Sequence, residues 1–126
     1  MIITQVQRDI VNRLKDAGYE NVKEHLLVGI TENEPYPFIV VDLGYSLTHV
    51  VASGKYTNNV HYLTITCFQK ASIGITEARE SAIQAFENVM DLLNLPILEE
   101  KIEYIDTVMN SIKICGVGCV VEVSAY

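Results

Sequence analysis

The sequence predicts an α+β domain in which two helices pack on one face of a mostly antiparallel sheet. Residues 75–93 repeat apolar side chains at helical spacing, whereas 38–69 and 112–126 alternate apolar and polar residues at strand spacing. Strand pairs flank the long helix on both sides, which favours an antiparallel sheet of four to five strands covered on one face. We expect the order α-(β)-β-β-α-β-β in a single domain spanning residues 1–126.

A short amphipathic helix begins the chain. Thr4 and Gln7 have the spacing of a capping box, and Gly18 suits the position just after the helix. The apolar stripe that should face the core consists of Val6, Ile10, Leu14 and Ala17. A short strand around 25–28 is expected next, followed by a polar loop.

Two strands of a hairpin follow Pro35 and Pro37, which favour an extended backbone. The first strand covers 38–45 and continues towards residue 51, the turn lies in 52–59, and the second strand covers 60–69. The residues predicted to face the core are Ile39, Val41, Leu43, Tyr45, Leu63, Ile65 and Cys67.

The long helix spans 75–93, with Thr76 as a possible cap and Asn94 and Pro96 ending it. Its predicted buried stripe consists of Ile75, Ala78, Ala82, Ala85, Phe86, Val89, Leu92 and Leu93. A second strip of Arg79, Ile83 and Met90 is expected to contact the first helix, and a subunit contact is the alternative.

Two closing strands are predicted at 101–109 and 112–126, with Asn110 and Ser111 as the turn. In the last strand, Val117, Cys119, Val121 and Val123 should face the core, and Gly116 and Gly118 suggest a bulge. The opposite face of the sheet mixes apolar, hydroxyl, aromatic and acidic residues. Such a mixed surface is typical of a face that contacts another protein.

Composition disfavours several classes of function. A net charge of −7 opposes binding to the outside of nucleic acid, and no apolar run is long enough to span a membrane. The N-terminus lacks a signal-peptide pattern, so synthesis in the cytoplasm is expected.

The residues with chemical potential do not form a recognisable site in the sequence. The three cysteines fit core packing better than a disulfide or metal site, and the three histidines lie outside any catalytic motif. We therefore expect no enzymatic activity, cofactor or metal.

The order and spacing of these elements resemble the tail terminator and tail completion proteins of long-tailed bacteriophages. The resemblance comprises the short first helix, the strand 36–41 marked by proline, the long hairpin returning through 60–68, the helix 76–93 and the closing strand 118–126. It covers nearly the whole chain, and no individual functional residue is transferred by it.

The resemblance implies a non-enzymatic virion protein at the head-proximal end of the tail. Such a protein forms a homo-oligomeric, typically hexameric ring that caps the tail-tube protein, stops tube assembly and joins the tail to the head connector or stopper. DNA would pass through the lumen without specific binding. A head-side connector or stopper protein, and a small α+β ligand-binding or enzymatic domain, remain as alternatives.

A ring requires two different patches that meet head to tail. We expect the outer sheet face and the hairpin 46–59 to provide much of the contact between subunits and with the tube. The residues assigned to this interface are Asp42, Leu47, Val50, Lys55, Tyr56, Asn58, Tyr62, Thr64, Thr66 and Glu122.

Overall fold

Five strands form one mixed sheet that carries two helices on a single face, so the predicted α+β class is confirmed. The computed structural model describes residues 3–25, 35–50, 56–72, 74–97, 102–109 and 111–125, and for 45–50 and 56–60 it describes the backbone. The elements are α1 (Ile3–Asp16), β1 (Val22–Lys23), β2 (Phe38–Val50), β3 (Tyr56–Lys70), α2 (Ile75–Leu93), β4 (Glu103–Met109) and β5 (Ile112–Ala125).

The strands lie side by side in the order β1-β2-β3-β5-β4, and all neighbours are antiparallel except the parallel pair β1 and β2. The short strand expected around residues 25–28 begins earlier, at Val22, where the Asn21 carbonyl accepts a hydrogen bond of 2.9 Å from the Ile39 N–H. His25 therefore follows the strand, and residues 26–34 lie outside the described residues.

The main core lies between the helices and the face of the sheet that we call the inner face. Strand alternation correctly predicts most of its members, including the two cysteines Cys67 and Cys119. The buried strand residues of the inner face are Ile39, Val41, Leu63, Ile65, Cys67, Val117, Cys119 and Val121.

Leu43 pairs with Leu63 and so lies on the predicted inner face, but it is not part of the buried core, and 43% of its surface is exposed. The register of β2 against β3 shifts between Leu43 and Tyr45, so Tyr45 pairs with Tyr62 while Leu43 pairs with Leu63. This bulge interrupts the period-two pattern that placed Leu43 and Tyr45 on one face. β3 begins at Tyr56, within the predicted turn 52–59, and residues 51–55 lie outside the described residues.

A buried glutamine joins α1 to the sheet. The Gln7 Nε2 donates hydrogen bonds of 2.7 Å to the Glu24 carbonyl and 2.8 Å to the Val41 carbonyl. Gln7 therefore does not complete a capping box, and Thr4 lies inside the helix rather than at its cap. These two bonds satisfy carbonyls that would otherwise face apolar surroundings.

The end of α1 agrees with the prediction for Gly18. This glycine has φ +101°, and the Tyr19 and Gly18 N–H groups donate to the Leu14 and Lys15 carbonyls at 3.1 and 3.0 Å. The pattern is a Schellman motif, which favours glycine at the left-handed position. Ala17, predicted on the buried stripe, is exposed because it lies in this turn.

The bounds of α2 match the predicted span, and most of its stripe is buried. Ile75 and Leu92 are exceptions, exposed by 48% and 41%: Ile75 is the first residue of the helix, and Leu92 lies at the margin of the stripe, since the next residue, Leu93, is buried. Gly74 occupies the N-cap position, so Thr76 is not the cap. Asn94 ends the helix in the left-handed conformation, with its N–H bonded to the Met90 carbonyl.

Gly116 and Gly118 mark a close approach rather than the predicted bulge, since β5 keeps a continuous register with both neighbours. A Cβ added at Gly116 would lie 2.7 Å from two ring carbons of Phe68. One at Gly118 would lie 2.5 Å from the Thr66 hydroxyl oxygen. Both glycines therefore make room for side chains of β3.

Replacing Gln7 with leucine should lower the free energy of unfolding by about 1–3 kcal/mol, because two carbonyls lose their donor. Urea denaturation would measure the change. Asn12→Leu, which removes an exposed amide from the same helix, is the control and should change stability much less. Equal effects of the two substitutions would contradict the role given to Gln7.

Replacing Gly116 with alanine should cost about 1–3 kcal/mol of stability through the clash with Phe68. In a Phe68→Ala background the same substitution should cost much less, because the clashing ring is gone. A double-mutant cycle by urea denaturation measures this coupling. Additive effects of the two substitutions would rule out the contact as the cause.

Candidate interaction surface

The face opposite the helices, which we call the outer face, is built from rows of residues aligned across three strands. Asp42 pairs with Thr64, which in turn pairs with Val120. Tyr62 pairs with Glu122 in a neighbouring row. These side chains are partly exposed, so this half of the outer face presents hydroxyl, aromatic and carboxylate groups together.

The other half of the outer face is covered by its own aromatic side chains. The Phe38 and Phe68 rings stack with centroids 4.8 Å apart, and Tyr36 lies at 5.5 Å from Phe38. The members of this second cluster are Phe38, Val40, Phe68, Ile112 and Ile114, with Tyr36 and Ile105 packed against them. Sequence alternation placed Val40 and Phe68 on the outer face without indicating that they would be buried with Phe38.

The structure brings half of the predicted interface residues together. The five on the open half of the outer face are Asp42, Tyr62, Thr64, Thr66 and Glu122. Four more belong to the hairpin arm, defined here as residues 45–60, where the pairs include Leu47 with Val60, His49 with Asn58 and Val50 with Tyr56. Lys55 lies outside the described residues.

One predicted interface residue already has a local role. The Asp42 Oδ1 accepts a hydrogen bond of 2.7 Å from the Leu43 N–H. That N–H belongs to the residue just before the bulge in β2. Asp42 therefore contributes to closing this edge of the sheet as well as to the outer face.

A second surface, which the sequence analysis missed, lies beside β4. A groove of about 650 Å³ runs between the start of α2 and the β4–β5 hairpin. It is lined by Ala71, Ser72, Gly74, Ile75, Asp106, Thr107, Val108, Lys113, Ile114 and Cys115. Val108 and neighbouring Tyr104 are 58% and 71% exposed. Two apolar residues four positions apart, and hence on the same face of one strand, were the available signal.

An ion pair fixes β4 to α2 at this groove. The Arg79 guanidinium donates to both carboxylate oxygens of Asp106, and the Cys115 thiol is hydrogen-bonded to the same carboxylate. The bonds from Arg79 and then from Cys115 lower the pKa of Asp106. The predicted contact of Arg79 with α1 is therefore wrong, because its partner lies on β4.

The remaining members of that strip, Ile83 and Met90, pack partly buried against the main core. The contact between the helices is made instead by Arg13, whose Nη2 donates to the Leu92 and Leu93 carbonyls at 3.2 and 3.3 Å. A cation here also lies at the negative end of the α2 dipole.

The cysteines are free and buried. Burial raises the pKa of Cys67 to about 12 and that of Cys119 to about 11, and the Cys119 Sγ lies 3.9 Å from the Met90 Sδ. Such thiols stay protonated and behave as small apolar side chains. Among the described residues, no three His, Cys, Asp or Glu side chains are grouped as a metal site would require.

No known family model matches the sequence, and no curated protein is significantly similar to it. In the described part of the chain, no helix is long and apolar enough to cross a membrane. Because one fold can serve many functions, the functional argument rests on the two surfaces above.

Stability should fall as the pH rises above about 9, the ordinary pKa of a thiol. Between that pH and about 12, the unfolded chain loses the Cys67 proton while the folded chain keeps it. The unfolded state then binds fewer protons, so this thiol lowers the free energy of unfolding by at most about 1.4 kcal/mol per pH unit.

Urea denaturation between pH 8 and 10.5 measures this dependence against a Cys67→Ala control. The tyrosines ionise in both proteins, so the difference between their slopes isolates the thiol. The control should lose stability less steeply with pH. Parallel slopes would show that Cys67 is not the group responsible.

Proposed function

We propose that this chain is a non-enzymatic structural protein that caps a phage tail tube as a homo-oligomeric ring and joins the tail to the head connector. The observation that carries the proposal is the division of the sheet. Both helices cover the inner face, whereas side chains on the polar half of the outer face are partly exposed. The backbone of the hairpin arm continues beyond the core. A subunit built this way offers separate surfaces to separate neighbours.

The hairpin arm supports the proposal through its length. The pairing of β2 with β3 continues past the bulge from Tyr45 and Tyr62 to Val50 and Tyr56. On one side β1 pairs only with Ile39 and Val40 of β2, far from the arm. The arm thus extends the sheet in one direction, as expected of an element that reaches a neighbouring subunit or the tube.

Charge is consistent with a ring through which DNA passes. The chain carries a net charge of −7, and Asp42 and Glu122 lie on the open half of the outer face. Neutralising phosphates is the main source of affinity for DNA, so an acidic subunit gives a lumen that DNA crosses without binding. A head-side connector protein would use the same two surfaces, but its partner would be another head protein instead of the tail tube.

A small ligand-binding domain is the second candidate, and the groove of about 650 Å³ beside α2 is the observation that favours it. Of the two charged residues that line the groove, Asp106 is engaged in an ion pair with Arg79. A thermal-shift screen of metabolites separates the two candidates. A strongly stabilising metabolite would favour the ligand-binding domain.

Shortening the arm should abolish tube capping while leaving the subunit folded. Residues 48–59 are replaced by Asn-Gly, which joins the paired residues Leu47 and Val60 through a two-residue turn. The variant and the wild type are each co-expressed with the tail-tube protein of the same genome. Electron microscopy then measures tube length and the presence of terminal rings.

The matched control keeps the arm length and Lys55, and replaces residues 51–54 with an equal number of glycines and serines. Wild type and control should give short tubes that end in rings, whereas the shortened variant should give long, uncapped tubes. Circular dichroism checks that all three chains fold. Capping by the shortened variant would refute the assigned role of the arm, and uncapped tubes with wild-type protein would refute the proposed function.

A further inference from the structure

The two edges of the sheet differ in whether their backbone groups have partners. On the β2 edge, the Ile39 N–H bonds to Asn21, the Val41 carbonyl accepts from Gln7, and the Leu43 N–H bonds to the Asp42 carboxylate. Side chains and the two residues of β1 thus close the first part of this edge. Natural sheets use such devices to prevent pairing with other chains.

The β4 edge has no such closure among the described residues. Just beyond the end of β3, the Ala71 N–H donates to the Lys113 carbonyl. In β5 the backbone N–H and carbonyl groups of odd-numbered residues therefore point to β3, and those of even-numbered residues point to β4. Antiparallel pairing alternates in this way. In β4 the residues opposite those even-numbered residues bond to β5. The residues whose N–H and carbonyl groups therefore point outward are Tyr104, Asp106 and Val108.

The same three residues direct their side chains to the inner face, beside α2. Tyr104 and Val108 are 71% and 58% exposed there, and Ile75, which lines the groove together with Val108, has 48% of its surface exposed. A strand added to this edge would gain main-chain hydrogen bonds and place alternate side chains in the groove. This is the geometry of β-strand addition.

The charge distribution within the chain indicates which strand fits. The longest stretch free of acidic residues is 43–76, which contains the hairpin arm and carries Lys55 and Lys70. The whole chain has a net charge of −7 and this stretch +2, so the remaining residues carry −9. The charged residues at the start of α2 and in the β4–β5 hairpin are the acidic Glu77, Glu103 and Asp106 and the basic Arg79 and Lys113, which together carry a charge of −1. The arm is thus the part of the chain with the least repulsion at that edge.

The arm and the β4 edge lie apart in one subunit. The arm is at the end of the sheet where Asn59 pairs with Ala125, whereas β4 pairs with residues 112–118 of β5 at the other end. Two strands, β3 and β5, also separate β2 from β4. One subunit therefore cannot join its own arm to its own edge, and a contact between the arm and the edge must join different copies of the chain.

We propose that the open edge of β4, with Ile75, Tyr104 and Val108, accepts the hairpin arm of a second copy of this chain. The inference deepens the proposed ring and rests on its head-to-tail association of subunits. In this contact the β4 edge of one subunit receives the added strand, and the hairpin arm of another subunit provides it.

Three variants test the proposal in the purified full chain. Val108→Lys places a charge in the apolar patch, and Val108→Pro removes an outward N–H without taking a bond from β5. The shortened arm, with Asn-Gly for residues 48–59, removes the donor. Leu92→Lys is the control, because it makes the same change at an exposed apolar residue on the far end of α2.

Sedimentation velocity over a range of concentrations measures self-association. The wild type and Leu92→Lys should associate alike, whereas both Val108 variants and the shortened arm should associate at least about tenfold more weakly. A mixture of Val108→Lys with the shortened-arm variant should form one-to-one dimers and nothing larger, since only one intact edge and one intact arm can meet.

Three outcomes would overturn the inference. These are a wild type that stays monomeric at the highest concentration, normal association of Val108→Lys, and failure of the mixture to form dimers. Association through β4 by a chain that does not cap tubes would leave the inference standing and remove the proposed function. If Val108→Pro does not fold, Val108→Lys still decides.

Discussion

The buried side-chain amide of Gln7 connects three segments that are far apart in the sequence. The Gln7 side chain donates from α1 to the carbonyl of Glu24, just after β1, and to the carbonyl of Val41 in β2. The two bonds fix the helix over the sheet and occupy an acceptor on the edge of β2 at the same time. The Gln7 side chain thus contributes both to the packing of α1 on the sheet and to the protection of the β2 edge. The open surfaces lie at the β4 edge and on the outer face.

Local signals were sufficient for the elements whose shape depends on their own residues. The bounds of α2 follow from its apolar stripe and from Asn94, which stops the helix in a left-handed conformation. The end of α1 likewise follows from Gly18. The first strand was expected around 25–28 and lies instead at Val22–Lys23, because these two residues form a strand only by pairing with Ile39 and Val40, which no local pattern reveals.

The candidate surfaces show the same limit. Alternation correctly placed Tyr62, Thr64 and Glu122 on one face, because a strand's faces follow from its own period. It did not foresee that Phe68 would lie over Gly116, or that Arg79 would bind Asp106, since each pair joins segments distant in sequence. The groove beside β4 was missed for that reason, as three separate segments line it.

The position of β5 has a consequence for synthesis. This strand follows β1 to β4 in the sequence, yet it lies between β3 and β4, and among the described residues it alone pairs with β4. β5 must therefore leave the ribosome before the described sheet can close, and pairings between distant segments form slowly. A nascent chain without β5 cannot present an ordered β4, so only subunits in which β5 has paired could take part in assembly through that strand.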